Sequence, residues 1–421
     1  MIDPQLLRDN PDLLRRSQEA RGDSVTVVDE AVAADVLRRT TIGDYEKLRA
    51  EQNAFGRHVA MAPKDEKKAL VQQAQKFAGR VKDAQQVATD AEAEFNRVAR
   101  MIANPIIEGV PAGGEENFVT IREVGEKPTF DFEPRDHVDI GEILGALDMT
   151  RGTKVSGARF YFLRGIGARL EIALMNMALD KALAEGFEPL ITPTLVRPEI
   201  MNGTGFLGEH ADEIYYLPAD DLYLTGTSEV ALAGFHSDEI IDVTEGPIRY
   251  AGWSTCYRRE AGSGGKDNRG ILRVHQFNKL EMFSYVLPED AEAEHLRLLS
   301  FQESMLQACG LSYRVIDVAA GDLGSSAARK YDIEAWVPTQ GTYRELTSTS
   351  NCTTYQARRL DTRYRTESGK TTPVATLNGT LATTRWIVAI LETHQREDGS
   401  VTVPEALRPY LGGLEVFEPK K

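Results

Sequence analysis

Between Leu70 and Ile102 apolar residues return at alternating spacings of four and three: Leu70, Ala74, Phe77, Val81, Ala84, Ala88, Ala91, Phe95, Val98 and Ile102. Such a heptad seam marks a helix that packs along another helix. Tyr45, Leu48, Phe55 and Val59 keep the same spacing upstream, with Gln52 as the polar exception. The MAPKDEKK stretch between them reads as a turn, because Pro63 breaks a helix. The pattern predicts an antiparallel helical hairpin over about residues 28–102. Its 33-residue second helix would reach about 50 Å at a rise of 1.5 Å per residue.

The heptads stop at residue 103, and residues 103–135 are rich in proline and glycine. From Gly157 onward, helical patterns alternate with short extended runs. Phe162 to Glu185 reads as a helix ended by Gly186, and Phe187 to Thr192 as a strand stopped by Pro193. Near the end, a strand over Pro373 to Leu377 precedes Asn378-Gly379 and a helix over Leu381 to Gln395. Arg385 falls in the first turns of that helix, where anions are favoured. The expected division is an N-terminal domain over 1–103, a linker and sheet lead-in over 104–156, and a third region over 157–421. The third region has the pattern of an α+β domain around an antiparallel sheet. No GxGxxG follows a strand and no GxxxxGK[ST] occurs, so neither a dinucleotide fold nor a P-loop is supported.

The runs Arg249 to Glu260 and Arg273 to Val286 flank the loop AGSGGKDNRGIL, as in a long-looped hairpin. Alternation puts Val274, Leu280 and Met282 on one face. Arg273, His275, Phe277, Lys279 and Glu281 share the other, and Arg258 and Glu260 share a face of the first run. One reading is a solvated face with scattered charges. The other is a ligand platform: arginine forks fit phosphate oxygens, Phe277 offers a stacking surface, and the loop holds Gly262, Gly264, Gly265 and Gly270.

Charge changes the picture of the helical hairpin. The chain carries −15 overall, yet residues 47–82 hold nine lysines and arginines against three acids. A basic tip on an acidic protein fits a polyanion, although a solvated dimerisation coil has the same pattern. The N-terminus lacks the apolar stretch of a signal peptide, and no run approaches the ~18 apolar residues of a membrane span. Cys256, Cys309 and Cys352 lack paired metal spacing. The expectation is a cytoplasmic chain without structural zinc and without a membrane partner.

Three segments resemble the signature motifs of class II aminoacyl-tRNA synthetases. Gly186 to Pro193 (GFEPLITP) is similar to motif 1. Tyr257-Arg258-Arg259-Glu260, the glycine-rich loop and Arg273 to Phe277 resemble motif 2. Leu377 to Thr380 through Arg385 resembles motif 3, although the family often has one more residue before that arginine. Thr225 to Glu229 (TGTSE), RVHQFNKLE ending at Glu281, Arg344 to Ser348 (RELTS), TSNCTTYQARR and TLNGT resemble the seryl-tRNA synthetase family of bacteria. The helical hairpin matches that family too, so the resemblance covers essentially the whole chain.

The resemblance implies an N-terminal antiparallel coiled-coil arm and a class II catalytic domain on an antiparallel β-sheet with flanking helices. It implies activation of L-serine by ATP and transfer to the 3′ end of tRNA(Ser), with tRNA(Sec) as a further substrate, by a homodimer. By the same resemblance Arg258 and Arg385 would carry the catalytic electrostatics. ATP would be held by Arg258, Arg259, Glu260, Arg273, Val274, Phe277, Glu345, Leu346, Thr347, Ser348 and Arg385, and Mg²⁺ by Glu345 and Ser348. The serine pocket would be Thr227, Ser228, Glu229, Arg258, Glu281, Asn378 and Thr380. Arg57, Lys64, Lys67, Lys68, Lys76 and Arg80 would meet tRNA on the arm. No covalent nucleophile or general base is implied, and His275 is expected to be structural. The alternative is a related serine-activating ligase that loads a carrier protein, which would not need the basic arm.

Overall fold

Prolines open the first two helices, α1 (Pro4–Asp9) and α2 (Pro11–Arg21), where their missing N–H costs nothing. The Asp3 carboxylate caps α1 by accepting from the Gln5 N–H at 2.8 Å, and Gly22 closes α2 in the left-handed region. Two long helices follow, α3 (Thr26–Met61) and α4 (Lys67–Ala99), of 36 and 33 residues. They form the expected hairpin, with Phe55 and Phe77 stacked at 6.1 Å between ring centroids. The seam tightens toward its base. Val81, Ala88, Ala91, Phe95 and Val98 are buried, whereas Leu70, Ala74 and Phe77 near the tip are half-buried. At the base Phe95 and Val98 join Leu7, Leu14, Val28 and Ala31 in one apolar cluster. Removing the Phe95 ring would cost roughly 3–5 kcal/mol.

The computed structural model describes residues 1–208, 211–261, 267 and 269–420, and these form two units, Met1–Pro105 and Ile106–Lys421. Gly262, Gly264 and Gly265 of the glycine-rich loop lie outside the described residues.

An eight-stranded sheet organises the second unit. Its strands are β1 (Val119–Val124), β2 (Glu188–Ile191), β3 (Ile248–Tyr257), β4 (Gln276–Val286), β5 (Tyr313–Asp317), β6 (Arg329–Val337), β7 (Thr342–Asn351) and β8 (Ala375–Thr383). Their spatial order is β1-β5-β6-β7-β8-β4-β3-β2, antiparallel throughout except for the edge pair β2 and β3. The proline- and glycine-rich stretch thus supplies one edge strand. Helices α5 (Ile166–Ala184), α6 (Glu229–Gly234), α7 (Ala291–Ala308), α8 (Tyr355–Leu360) and α9 (Trp386–Thr393) surround the sheet. Helices α5, α7 and α9 cover one face and bury Leu280, Met282, Leu377, Leu381, Ile333 and Ala335 in the main core. The other face is divided. Phe283 and Tyr285 pack with Leu232, Leu360 and Tyr364 in a second apolar cluster, and the remainder carries polar groups.

Three local expectations are corrected. Asn378-Gly379 does not separate a strand from a helix. It lies inside β8, where Asn378 pairs with Phe283 and Gly379 with Met282, and the helix begins only at Trp386. The alternating apolar residues Leu377, Leu381 and Ala375 are satisfied by a central strand buried on both faces, and that burial overrides the turn propensity of Asn-Gly. Arg385 is therefore the N-cap of α9 rather than a residue within its first turns. Helix α5 starts at Ile166 rather than at Phe162, because Phe162 and Leu163 pair with Leu147 and Asp148 and Gly165 turns at φ 48°. Strand alternation also holds only within 276–286: residues 273–275 precede β4, and Arg258 and Glu260 follow the end of β3.

Candidate active site

On the polar half of the sheet, the ends of β3 and β4 and the facing parts of β7 and β8 enclose a cleft of about 540 Å³, open to solvent. Arg258, Glu260, Val274, Phe277, Lys279, Glu345, Leu346, Ser348, Thr380 and Arg385 line it, with Ile271, Leu272 and Thr383. Residues from four separate stretches of sequence thereby converge.

One end of the cleft is cationic and aromatic. The Arg258 guanidinium lies over the Phe277 ring, 5.3 Å from its centroid. Glu260 adopts a left-handed φ of 52°, and its carboxylate stands 3.4 Å from the Arg273 guanidinium. Arg385 spans the cleft walls, donating from Nε to the Leu272 carbonyl at 3.0 Å and from Nη1 to the Glu345 carbonyl at 2.9 Å. Its Nη1 also stands 3.6 Å from the Glu345 carboxylate, whose side chain is 46% exposed. Partial desolvation by the cleft walls works against the charge of Glu345, but Arg385, then Lys330, Arg258 and Lys279 hold its pKa below the usual carboxylate range.

Behind Lys279 and Thr380, which line the other end, lies a buried polar network. Glu281, 1% exposed, accepts from Lys279 Nζ at 2.7 Å and from the Thr380 hydroxyl at 3.0 Å. Lys279 also donates to the Thr227 hydroxyl at 3.1 Å. Glu229 at the start of α6 accepts from Gln356 Nε2 at 2.8 Å, and Gln356 Oε1 accepts from the Thr376 hydroxyl at 2.8 Å. Burial, reinforced by the negative charge of Glu281, pushes the Glu229 carboxyl up to about 7. Burial also raises Glu281, against the pull of Lys279. Gly252 on β3 faces Glu281, and its missing side chain lets the Thr225–Glu229 loop dock: a Cβ there would sit 2.9 Å from the Ser228 hydroxyl.

The remaining expected residues stand differently. The Ser228 hydroxyl is committed to the Gly252 carbonyl at 3.1 Å. Asn378 is buried beside Cys352, with Nδ2 3.7 Å from the sulfur. Thr347 is buried on the core side, where its hydroxyl donates to the Thr380 carbonyl. Arg259 is exposed and does not line the cleft; its backbone N–H donates to the Glu213 carbonyl at 2.9 Å. His275, expected by parity on the ligand face, bonds the Arg258 carbonyl through Nδ1 at 2.9 Å and packs against Phe160, in keeping with a structural role. Lys279 and Gln356 were absent from the expected set. Lys279 had a sequence signal, since it shares a strand face with Glu281. Gln356 had none, because its approach to Glu229 depends on the packing of α8 against α6.

Residues 1–106 match the family model described as seryl-tRNA synthetase N-terminal domain, and residues 216–394 match the tRNA synthetase class II core domain (G, H, P, S and T). A serine–tRNA ligase from Leifsonia xyli subsp. xyli is 76% identical over 419 residues, covering 100% of this chain and 99% of the relative. The chain belongs to the seryl-tRNA synthetase family. As a class II serine–tRNA ligase it activates serine with ATP and charges tRNA(Ser). The crystal structure of seryl-tRNA synthetase from Pyrococcus horikoshii complexed with ATP superposes with a TM-score of 0.94 at 36% identity, covering 100% of both chains. The cytoplasmic serine–tRNA ligase from Naegleria fowleri in complex with AMP gives 0.90 at 35% identity, over 100% of this chain and 99% of the other.

On the synthetase's arm, Arg57, Lys64, Lys67, Lys68, Lys76 and Arg80 are all exposed. None of the six forms an ion pair among the described residues. Among the described residues no helix is long and apolar enough to cross a membrane.

Proposed function

We propose that the two ends of the cleft divide the two small substrates: ATP lies at the arginine–phenylalanine end and serine at the Glu281 end. The observation that carries this reading is the network of Glu281, Lys279, Thr380 and Thr227. It puts a buried carboxylate and hydroxyls behind Lys279 and Thr380, which line the cleft together with Arg258. A carboxylate suits the ammonium group and hydroxyls suit the serine side chain. Alanine is rejected because it leaves these buried groups unpaired. The serine carboxylate then attacks the α-phosphorus, a P–O bond forms, and pyrophosphate leaves with the electron pair of the broken P–O bond. Arg258 bridges the carboxylate and the α-phosphate, while Arg385 and Arg273 bind the phosphates. Phe277 stacks on adenine once Arg258 turns from its ring to the phosphate. Glu260, Val274 and Leu346 border the adenosine. In the second step the terminal 3′-hydroxyl of tRNA attacks the acyl carbon, an ester C–O bond forms, AMP leaves with the electron pair of the broken acyl C–O bond, and the hydroxyl proton passes to the departing phosphate. Orientation and fixed charge supply the catalysis.

Glu345 and Ser348 line the same cleft and offer two oxygen donors, and no cluster of three or more His, Cys, Asp or Glu able to hold a metal occurs among the described residues. That sparse set fits Mg²⁺, which keeps waters and takes phosphate oxygens. Bound there with ATP, Mg²⁺ would neutralise phosphate charge. Thr347, Ser228, Asn378 and Glu229 act from behind the cleft wall, shaping it, and Arg259 is left for the acceptor end of tRNA.

The arm's exposed cations favour the long variable arm of tRNA(Ser), read by shape and phosphate contact, and tRNA(Sec) where that tRNA exists. A homodimer is favoured by the edge strand β2. Ile191 there is 94% exposed beside Leu195 and Phe235, around an apolar recess of about 770 Å³. The cytoplasm is the compartment where these partners meet. Serine-dependent ATP–pyrophosphate exchange tests the reading. Robust exchange with serine is expected, and absence of exchange, or better exchange with threonine, overturns it.

A further inference from the structure

Strands β7 and β8 pair at Asn351 with Leu377, Ser350 with Asn378 and Thr349 with Gly379, and there their register ends among the described residues. Beyond that point the strands part, and Ser348 and Thr380 stand on the two lips of the cleft. Gln302 reaches the gap from α7 on the opposite face of the sheet and is fully buried. Its Nε2 lies 2.6 Å from the Ser348 carbonyl, 2.8 Å from the Thr380 carbonyl and 3.0 Å from the Thr347 hydroxyl. A primary amide has two N–H donors, enough for one carbonyl on each strand. The amide thus satisfies carbonyls that a continued ladder would have bonded.

Gly379 makes this approach possible. A Cβ at that position would stand 3.3 Å from Gln302 Nε2 and 3.1 Å from the Thr349 hydroxyl, tighter than ordinary contact. The motif 3 glycine is thereby explained by close packing inside a strand rather than by a turn. Both strands are irregular nearby: the register of β8 against β4 shifts between Thr380 and Ala382, and that of β6 against β7 shifts between Ile333 and Glu334.

We infer that Gln302 is a positioning residue for both substrates, a wedge that holds the nucleotide lip at Ser348 and the serine lip at Thr380 at a set separation. The inference rests on the reading that Ser348 faces ATP and Thr380 faces serine. Because one amide holds both lips, its loss is felt at both substrate sites together, unlike the loss of a pocket residue such as Glu281.

The test is steady-state pyrophosphate exchange by the full-length Gln302→Met variant, which keeps the side-chain length and loses the donors. Circular dichroism checks its fold. KM for ATP and KM for serine should each rise about tenfold with kcat changed less than threefold. Gly379→Ala should move the same two constants in the same direction. The double variant should be no worse than Gln302→Met, since the added methyl acts through the displaced amide. Unchanged constants, a change in one KM only, or additive effects in the double variant overturn the inference. If Gln302→Met does not fold, Gly379→Ala decides alone by whether both constants rise. A wild-type enzyme without serine-dependent exchange would instead overturn the substrate assignment on which the inference rests.

Discussion

Along the arm, Arg57, Lys64, Lys67 and Lys68 stand in water on a helical hairpin whose seam is only half-buried at that level. At the cleft, Lys279 and Glu281 are a buried pair, Glu229 is buried against Gln356, and Arg385 stands against Glu345. The arm's charges are screened and interchangeable, so their work is additive and salt-sensitive. The cleft's charges are desolvated, so each depends on its partner and the loss of one strands another. The difference teaches where damage should be abrupt and where it should be gradual.

Arg385→Ala should strike hardest, because Arg385 ties Glu345 to the Leu272 carbonyl and, on the proposed reading, binds the phosphates. Pyrophosphate exchange should fall by about 10³-fold, in the range of a lost preorganised donor. A loss under tenfold would show that the cleft does not rely on its individual charges. Excising residues 47–82 and rejoining the two helices comes next. Charging of tRNA(Ser) should drop by more than about 100-fold while exchange stays within twofold, since the basic excess of the arm lies there. Equal losses in both assays would erase the division of labour between the regions.

Glu281→Ala should raise KM for serine about 100-fold and KM for ATP less than threefold, measured in the same exchange assay. Parallel changes would move Glu281 out of the serine pocket. Reversing Lys64, Lys67 and Lys68 to glutamate should raise KM for tRNA about tenfold. It should also flatten the dependence on salt by about one unit of slope per lost phosphate contact. An unchanged salt slope would take these lysines away from the tRNA.

The smallest effect concerns stability. Glu229 is raised from 4.5 to about 7 in the folded protein by burial, with Glu281 adding to it. A raised carboxyl group favours the folded state below its unfolded pKa, and that advantage is lost as pH climbs through about 7. Glu229→Gln should therefore flatten the decline in melting temperature between pH 5 and 8. It should leave the free enzyme on the order of 1–3 kcal/mol more stable at pH 8. The same decline in both proteins would assign it to other groups.

The arm could be read almost entirely from its sequence. Its heptads depend on local spacing, and the helix observed over Lys67–Ala99 is displaced by three residues from the span 70–102. The cleft was readable where chemistry sat on one strand, as at Phe277, Lys279 and Glu281. Local signals failed at Asn378-Gly379, whose turn propensity is overridden by a central strand, and at Glu260, which lies beyond the strand that ends at Tyr257 and has a left-handed backbone. Gln302 and Gln356 had no signature, since a glutamine in a helix announces nothing about which strand or acid it reaches.

The sequence by itself determined that a basic helical hairpin precedes an α+β domain, and that arginines, acids and a phenylalanine accompany glycine-rich and Asn-Gly motifs. Periodicity and residue chemistry are local properties, and they survive without a fold. Only the tertiary structure decided which of those charges meet. The sheet register sets Glu281 opposite Gly252, brings Thr380 to Glu281 and leaves a gap that Gln302 fills. Those relations join segments up to about a hundred residues apart, and only long-range strand pairing and the packing of α7 against the sheet can establish them.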